Sequence, residues 1–82
     1  MKYRCRHDII ADILKTALAP ARISQIAFKA NLPLDRARRH VERLVERGLL
    51  AYNPMEGTYS ATELAYEWLA LYEKLRLLYD PG

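Results

Sequence analysis

The stretch that most constrains the fold runs from residue 31 to residue 50 and reads NLPLDRARRHVERLVERGLL. On a wheel of about 100° per residue, one side of this helix is apolar and carries Leu34, Ala37, Val41, Leu44 and Val45. Arg36, Arg39 and Arg43 lie on the opposite side, one above another, because residues three or four apart are neighbours on a helix. One face therefore suits a protein core. The other suits an anionic partner, or solvent with ion pairs such as Asp35 to Arg39 along it.

Two further helices are predicted before this stretch. The apolar spacing of residues 6–18 indicates a first helix, which Pro20 stops near residue 19. A short second helix spans about residues 22–30, and Asn31 ends it because asparagine tolerates the left-handed backbone conformation. The arginine-bearing helix then covers about residues 34–47. A short helix, a tight turn and an amphipathic helix together make a helix-turn-helix.

The sequence after Gly48 predicts a hairpin and a last helix. Residues 49–52 and 58–60 read as two short strands around the loop Asn-Pro-Met-Glu-Gly, whose proline and glycine mark a turn. Thr62 is suited to cap a final helix that runs to residue 78 or 79. With a loose or strand-like arm at residues 1–5, the chain is expected to be mainly α with a small β-hairpin. We predict a winged helix-turn-helix domain over residues 1–61 and a C-terminal helix over residues 62–82.

This last helix carries two apolar stripes. The first has the 4-3 spacing of a coiled-coil seam and consists of Leu64, Trp68, Leu71, Leu75 and Leu78. The second lies beside it and consists of Ala65, Leu69, Tyr72 and Tyr79. One stripe is enough to cover the helix's own domain, and soluble proteins rarely leave a second one in water. Residues 62–82 are therefore predicted to pair with a second copy of the chain. The alternative is that both stripes fold back on the same domain.

The charge is unevenly distributed along the chain. The first 47 residues hold eleven Lys and Arg against five Asp and Glu, a net +6, whereas residues 48–82 hold two against five, a net −3. A basic front half indicates a surface that meets a polyanion. One cysteine and two histidines provide neither an internal disulfide nor a metal site.

Motifs that would indicate other functions are missing from the sequence. It contains no catalytic nucleophile motif and no phosphate-cradling glycine loop. No apolar run approaches the roughly 20 residues that span a bilayer. We therefore predict that the protein is not an enzyme and that it uses no cofactor, metal, small-molecule ligand or membrane. A nucleoid-associated place in the cytoplasm is expected.

Three pieces of the sequence carry a family resemblance: the Ala-Asn-Leu turn at residues 30–32, the helix exit LVERGLL at residues 44–50, and the junction Tyr-x-x-Thr from Tyr59 to Thr62. In this order they resemble an archaeal family of small winged-helix DNA-binding proteins and predicted transcriptional regulators. Members of that family pair through a C-terminal coiled coil. The similarity covers about residues 6–79.

The resemblance implies roles for particular residues. DNA binding would fall on Arg22, Ser24, Gln25, Lys29, Arg36, Arg38, Arg39 and Arg43. The dimer interface would fall on Trp68, Leu71, Tyr72, Leu75, Leu78 and Tyr79. Whether the arginines contact phosphates or base edges stays open at this point, since arginine serves both. The predicted hairpin is the wing of the fold. Its loop at residues 54–57 has no Lys or Arg, so we expect the wing to add little to DNA binding.

The expected function is that of a homodimer that binds double-stranded DNA. It would be a transcription regulator or a chromatin-associated protein with the helix at about residues 34–47 in the major groove. The alternative is a winged-helix protein-interaction subunit of a larger complex without direct DNA binding. The acidic wing and the apolar C-terminal helix favour this second interpretation.

Overall fold

The protein is represented by a computed structural model, which describes residues 5–79. The arm predicted at residues 1–5 lies outside the described residues except for Cys5, which has an extended backbone and precedes the first helix. The elements follow one another as α1 (Arg6–Thr16), α2 (Ile23–Ala30), α3 (Leu34–Glu46), β1 (Leu50–Asn53), β2 (Thr58–Ala61) and α4 (Glu63–Tyr79). The predicted fold class is confirmed, because the structure is mainly α with one antiparallel hairpin after a helix-turn-helix.

The turn between α2 and α3 forms as the sequence predicts. Asn31 has a left-handed backbone with φ 56° and ψ 51°. The N–H of Leu32 then donates to the carbonyl of Ala27 at 2.9 Å, which satisfies one carbonyl at the end of α2. Pro33 is the last residue before α3. This turn fixes the angle between α2 and α3, and thereby the direction in which the α3 arginines point.

The hairpin is closed by a short loop. Asn53 Oδ1 accepts the N–H of Met55 at 3.0 Å, and the Asn53 carbonyl accepts the N–H of Gly57 at 2.7 Å. Gly57 has φ 69°, a conformation that favours glycine. Ala21 forms an isolated antiparallel bridge to β2, because its N–H donates to the Tyr59 carbonyl at 3.0 Å and its carbonyl accepts the Tyr59 N–H at 2.8 Å. This pairing, which the sequence did not reveal, ties the connection between α1 and α2 to the wing.

The core lies between the first three helices, the hairpin and the start of α4. Its largest fully buried side chains are Ile13, Leu14, Ile26 and Val41. Leu34, which the helical wheel places on the core face of α3, is 44% exposed. The prediction for this residue was wrong, because Leu34 is the first residue of α3, before the helix passes over the core. The remaining apolar side chains on that face are buried or half-buried.

α4 starts on the domain and then leaves much of its surface in solvent. Thr62 caps it, with its hydroxyl accepting the N–H of Ala65 at 3.4 Å and donating to the Gly48 carbonyl at 2.6 Å. Ala65 is buried, and Leu69 is half-buried against the core.

No helix within residues 5–79 combines the length and the hydropathy that crossing a bilayer requires.

Candidate nucleic-acid interface

The exposed face of α3 carries all four arginines that the sequence singles out. Because Ala37, Val41 and Leu44 pack into the core, the intervening positions are turned outward. Their side chains are exposed, and they are Arg36, Arg38, Arg39 and Arg43.

These four arginines do not form one group. Arg36, Arg39 and Arg43 line a cleft of about 380 Å³ between α3 and the start of α1. Arg38 is on the other flank of the helix, beside the hairpin. There, burial raises the pKa of Tyr59 above its usual 10, and the charge of Arg38 opposes that shift. The structure therefore brings together three of the four and separates the fourth.

Two basic residues in the cleft were not assigned to the site from the sequence. Arg6, the first residue of α1, and His40, on α3, both line it. His40 is half-buried. Burial lowers its pKa below the usual 6.5 of a histidine, and neighbouring positive charges lower it further. In order of effect these charges belong to Arg43, Arg36, Arg6 and Arg39.

The outermost surface of α3 is more mixed in charge than the cleft. Arg39 forms an ion pair with Asp35 at 3.7 Å, but the two side chains are 66% and 78% exposed. Such a pair contributes a few tenths of a kcal/mol to helix stability. Glu42 and Glu46 are also exposed on this helix. The positive charge of α3 is therefore least offset by carboxylates where the helix faces α1.

The predicted residues of α2 are all exposed: Arg22, Ser24, Gln25 and Lys29. Gln25 Oε1 accepts the N–H of Arg22 at 2.9 Å and so helps to start α2. The Arg22 guanidinium extends towards the wing, since a β-carbon built on Gly57 would lie 3.6 Å from its Nη1 atom. A cation from the residue that precedes α2 therefore lies beside the loop that connects β1 and β2.

The tip of the wing offers no cation of its own. Pro54, Met55 and Glu56 are exposed, and the Met55 side chain is 95% accessible to solvent. The carboxylate of Glu56 would be repelled by a phosphate. A cationic contribution on this side of the domain therefore rests on Arg22 and Arg38.

The residues predicted for a dimer interface divide into two groups. Trp68 and Tyr72 contact α1: the indole ring stacks on His7 at 6.2 Å and on Tyr72 at 5.5 Å between centroids, and the Tyr72 hydroxyl donates to the Asp8 carboxylate. The other four are exposed, and they are Leu71, Leu75, Leu78 and Tyr79. Between these groups a largely apolar groove of about 460 Å³ runs along α1 and α4.

Comparison with known proteins identifies a family and a similar solved structure. Residues 3–79 match a protein family described as winged helix-turn-helix. The crystal structure of Sso10a-2, a DNA-binding protein from Sulfolobus solfataricus, superimposes with a TM-score of 0.85 at 20% sequence identity, over 95% of this chain and 84% of that chain. At this identity the likeness shows a shared fold. Among curated proteins, none matches the sequence significantly.

Proposed function

The chain belongs to the winged helix-turn-helix family, and from this premise we propose that it is a homodimeric protein that binds double-stranded DNA. It would act in transcription regulation or in chromatin organisation. The observation that carries the proposal is the set of exposed arginines on α3, the second helix of the helix-turn-helix. A rigid helix with several cations on its exposed side can neutralise phosphates and read base edges in the major groove. The structural relative Sso10a-2 is described as a DNA-binding protein, which supports the same function.

The proposed docking places α3 in the major groove. Its width of about 12 Å accepts a helix with its side chains. Arg39 is on the outermost face, whereas Arg36 and Arg43 share the flank towards α1. The exposed residues of α2 would contact the backbone of the duplex, since the first helix of the motif crosses it. We propose Arg22, Ser24, Gln25 and Lys29 for this role, with Arg38 as a further contact on the wing side.

A charge-matched pair of variants tests DNA binding. Arg39→Ala combined with Arg43→Ala removes two charges from α3, and Lys15→Ala combined with Lys74→Ala removes two from α1 and α4. Duplex affinity is measured by fluorescence anisotropy at several salt concentrations. The first variant should bind much more weakly and with a shallower salt dependence, by about 0.9 in log–log slope per lost phosphate contact. Equal affinities for the two variants would contradict the proposal.

Dimerisation is proposed through α4, with residues 1–61 as the DNA-binding part and residues 62–82 as the dimerisation part. Leu71, Leu75 and Leu78 follow one side of α4 with a 4-3 spacing and are all exposed, which suits a helix-to-helix seam. The seventeen residues of α4 give about 25 Å of helix, enough for a short pairing. Removing this apolar surface from water is the proposed driving force.

Two leucines on opposite sides of α4 provide a matched test of the dimer. Leu75 is 54% exposed on the seam, and Leu77 is 72% exposed on the other side of the helix. In sedimentation equilibrium, Leu75→Glu should yield monomers, whereas Leu77→Glu should dimerise like the wild type. If both variants associate equally, the seam is not the interface.

A second candidate function is that of a protein-interaction subunit without direct DNA binding. The apolar groove along α1 and α4 favours it, because a different protein could occupy that surface. The two candidates differ in the purified protein. A homodimer that shifts duplex DNA at low salt supports the first, whereas a monomer that leaves DNA unshifted supports the second.

A further inference from the structure

The charged side chains that line the cleft between α1 and α3 are all basic. Its lining combines Arg6 and Ile9 of α1 with four residues of α3: Arg36, Arg39, His40 and Arg43. A second hollow of about 250 Å³ shares Arg6, His40 and Arg43 and adds Arg47 and His7. In the part of the chain that the structure describes, no carboxylate lines either hollow. The cleft is therefore a concave cationic surface with no carboxylate among its described lining residues, and of its arginines Arg39 also pairs with Asp35 on the outer side of α3.

The environment of His40 is partly buried and also positively charged. This imidazole is half-buried, and both its burial and the surrounding arginine charges disfavour its protonated form. Like charges gathered in a concave surface raise the local potential, and they attract anions from solution. An anion in the cleft would relieve the repulsion among the arginines. No described side chain that lines the cleft carries a negative charge that could do so.

The position of the cleft matches the wall of a DNA groove. A helix with its side chains is about 10–12 Å across, and the major groove is about 12 Å wide. When such a helix is seated in the groove, its flanks must face the phosphates of the two strands. Arg36, His40 and Arg43 lie on the flank of α3 that faces Arg6, so a phosphate beside this flank would be held from both helices.

We propose that the cleft between α1 and α3 binds phosphate groups, and that Arg6 and His40 are binding residues in addition to the α3 arginines. The inference rests on the proposed function insofar as the phosphates belong to a DNA duplex. A free polyphosphate offers the same chemistry and is a separate arm of the test. The inference assigns the α1-facing flank of α3 to phosphate contacts and leaves the outermost face for base edges.

A single-charge substitution in α1 tests the DNA arm. Arg6→Gln should weaken duplex binding about eightfold per contacting protomer at 0.1 M salt and reduce the log–log salt slope by about 0.9. The loss should be equal for random and selected duplexes, because phosphate contacts carry no sequence information. Lys74→Gln on α4 removes the same charge and should leave the affinity unchanged, and Arg6→Lys should restore most of the binding.

The pH dependence gives a second readout. The charged and titratable groups around His40 are Arg6 and His7 from α1 and, from its own helix and the residue that ends it, Arg36, Arg39, Arg43 and Arg47. From α4 the lining has only the uncharged indole of Trp68. A bound phosphate raises the pKa of His40, because an opposite charge favours the protonated form. Binding therefore takes up a proton, so affinity should rise as pH is lowered from 8 to 6. The variant His40→Gln should show a flatter profile than the wild type.

The phosphate arm uses inorganic tripolyphosphate and isothermal titration calorimetry on the wild type and Arg6→Gln. Tripolyphosphate binding that Arg6→Gln abolishes, in a protein that ignores duplex DNA, would support the cleft and reject the proposed function. Loss of both DNA and tripolyphosphate binding in Arg6→Gln supports both. If Arg6→Gln binds duplex and tripolyphosphate as the wild type does, with an unchanged salt slope and an unchanged thermal midpoint, the cleft is not a phosphate site.

Discussion

Replacing Tyr72 by phenylalanine removes the hydroxyl that connects α4 to α1. This hydroxyl donates to the carboxylate of Asp8, which also accepts the N–H of Cys5 at 3.1 Å and so caps the start of α1. A hydrogen bond to a charged partner contributes about 1.5–3 kcal/mol to stability. Because Tyr72 and Asp8 are only half-buried, solvent screening reduces this to about 1 kcal/mol. The ring and its stacking on Trp68 remain in the variant.

The assay is thermal unfolding followed by circular dichroism at pH 7. A loss of about 1 kcal/mol should lower Tm by about 4–8 °C in a chain of this size. Tyr66→Phe is the matched control, since it makes the same substitution at an exposed position of the same helix. Its Tm should equal that of the wild type. An unchanged Tm in Tyr72→Phe would refute the argument that this hydrogen bond holds α4 against α1.

The pH dependence of the hydrogen bond between Tyr72 and Asp8 provides a second test. The Tyr72 hydroxyl, and then the Cys5 N–H, hold the pKa of Asp8 below its usual 3.8. A carboxyl whose pKa is lower in the folded state contributes stability above the unfolded value and loses it as pH falls through the folded value. The difference in stability between the wild type and Tyr72→Phe should therefore be full at pH 5 and shrink below pH 3.8. A difference that stays constant down to pH 2 contradicts this assignment.

Three further predictions concern stability and are checked by unfolding in urea or at high pH. Thr62→Val should cost about 1 kcal/mol, because the variant loses the helix cap of α4, and an unchanged urea midpoint would contradict that role. Ile26→Ala should cost about 2–5 kcal/mol, since Ile26 is fully buried, whereas Ile26→Val should cost about 0.5–1.5 kcal/mol; equal midpoints would mean that the site is not tightly packed. Burial and the Asp8 hydrogen bond raise the pKa of Tyr72 to about 12. Between pH 10 and 12 the tyrosine therefore ionises in the unfolded chain but not in the folded one, and the wild type should lose stability relative to Tyr72→Phe over that range. Parallel curves over that range would exclude the effect.

Local patterns in the sequence predict most of the fold. The apolar spacing of α3 and the left-handed backbone of Asn31 depend on residues close by in the chain, and both expectations are confirmed except at the exposed Leu34. The bounds differ by small amounts: α1 ends at Thr16 rather than near residue 18, and the Thr16 hydroxyl donates to the Asp12 carbonyl at 2.8 Å there. Side-chain bonds of this kind offer a backbone carbonyl an alternative to the hydrogen bonds of the helix.

Features that depend on distant parts of the chain could not be predicted in this way. The bridge between Ala21 and Tyr59 joins segments 38 residues apart, and no local pattern marks it. The proximity of Arg6 to His40 likewise depends on how α1 and α3 are oriented around the core. The helical wheel already places Arg38 apart from Arg36, Arg39 and Arg43, but it treats each helix separately and so could not show that Arg38 lies beside the hairpin while the other three face α1.

The central claim is that the arginine face of α3 binds duplex DNA, and the most direct test is a salt titration of wild-type binding to random and selected duplexes. We predict binding at low salt, with log affinity falling linearly with log salt at a slope that Arg39→Ala with Arg43→Ala makes shallower. The absence of binding at micromolar protein and low salt would contradict the claim. So would binding that is insensitive to salt and to both substitutions.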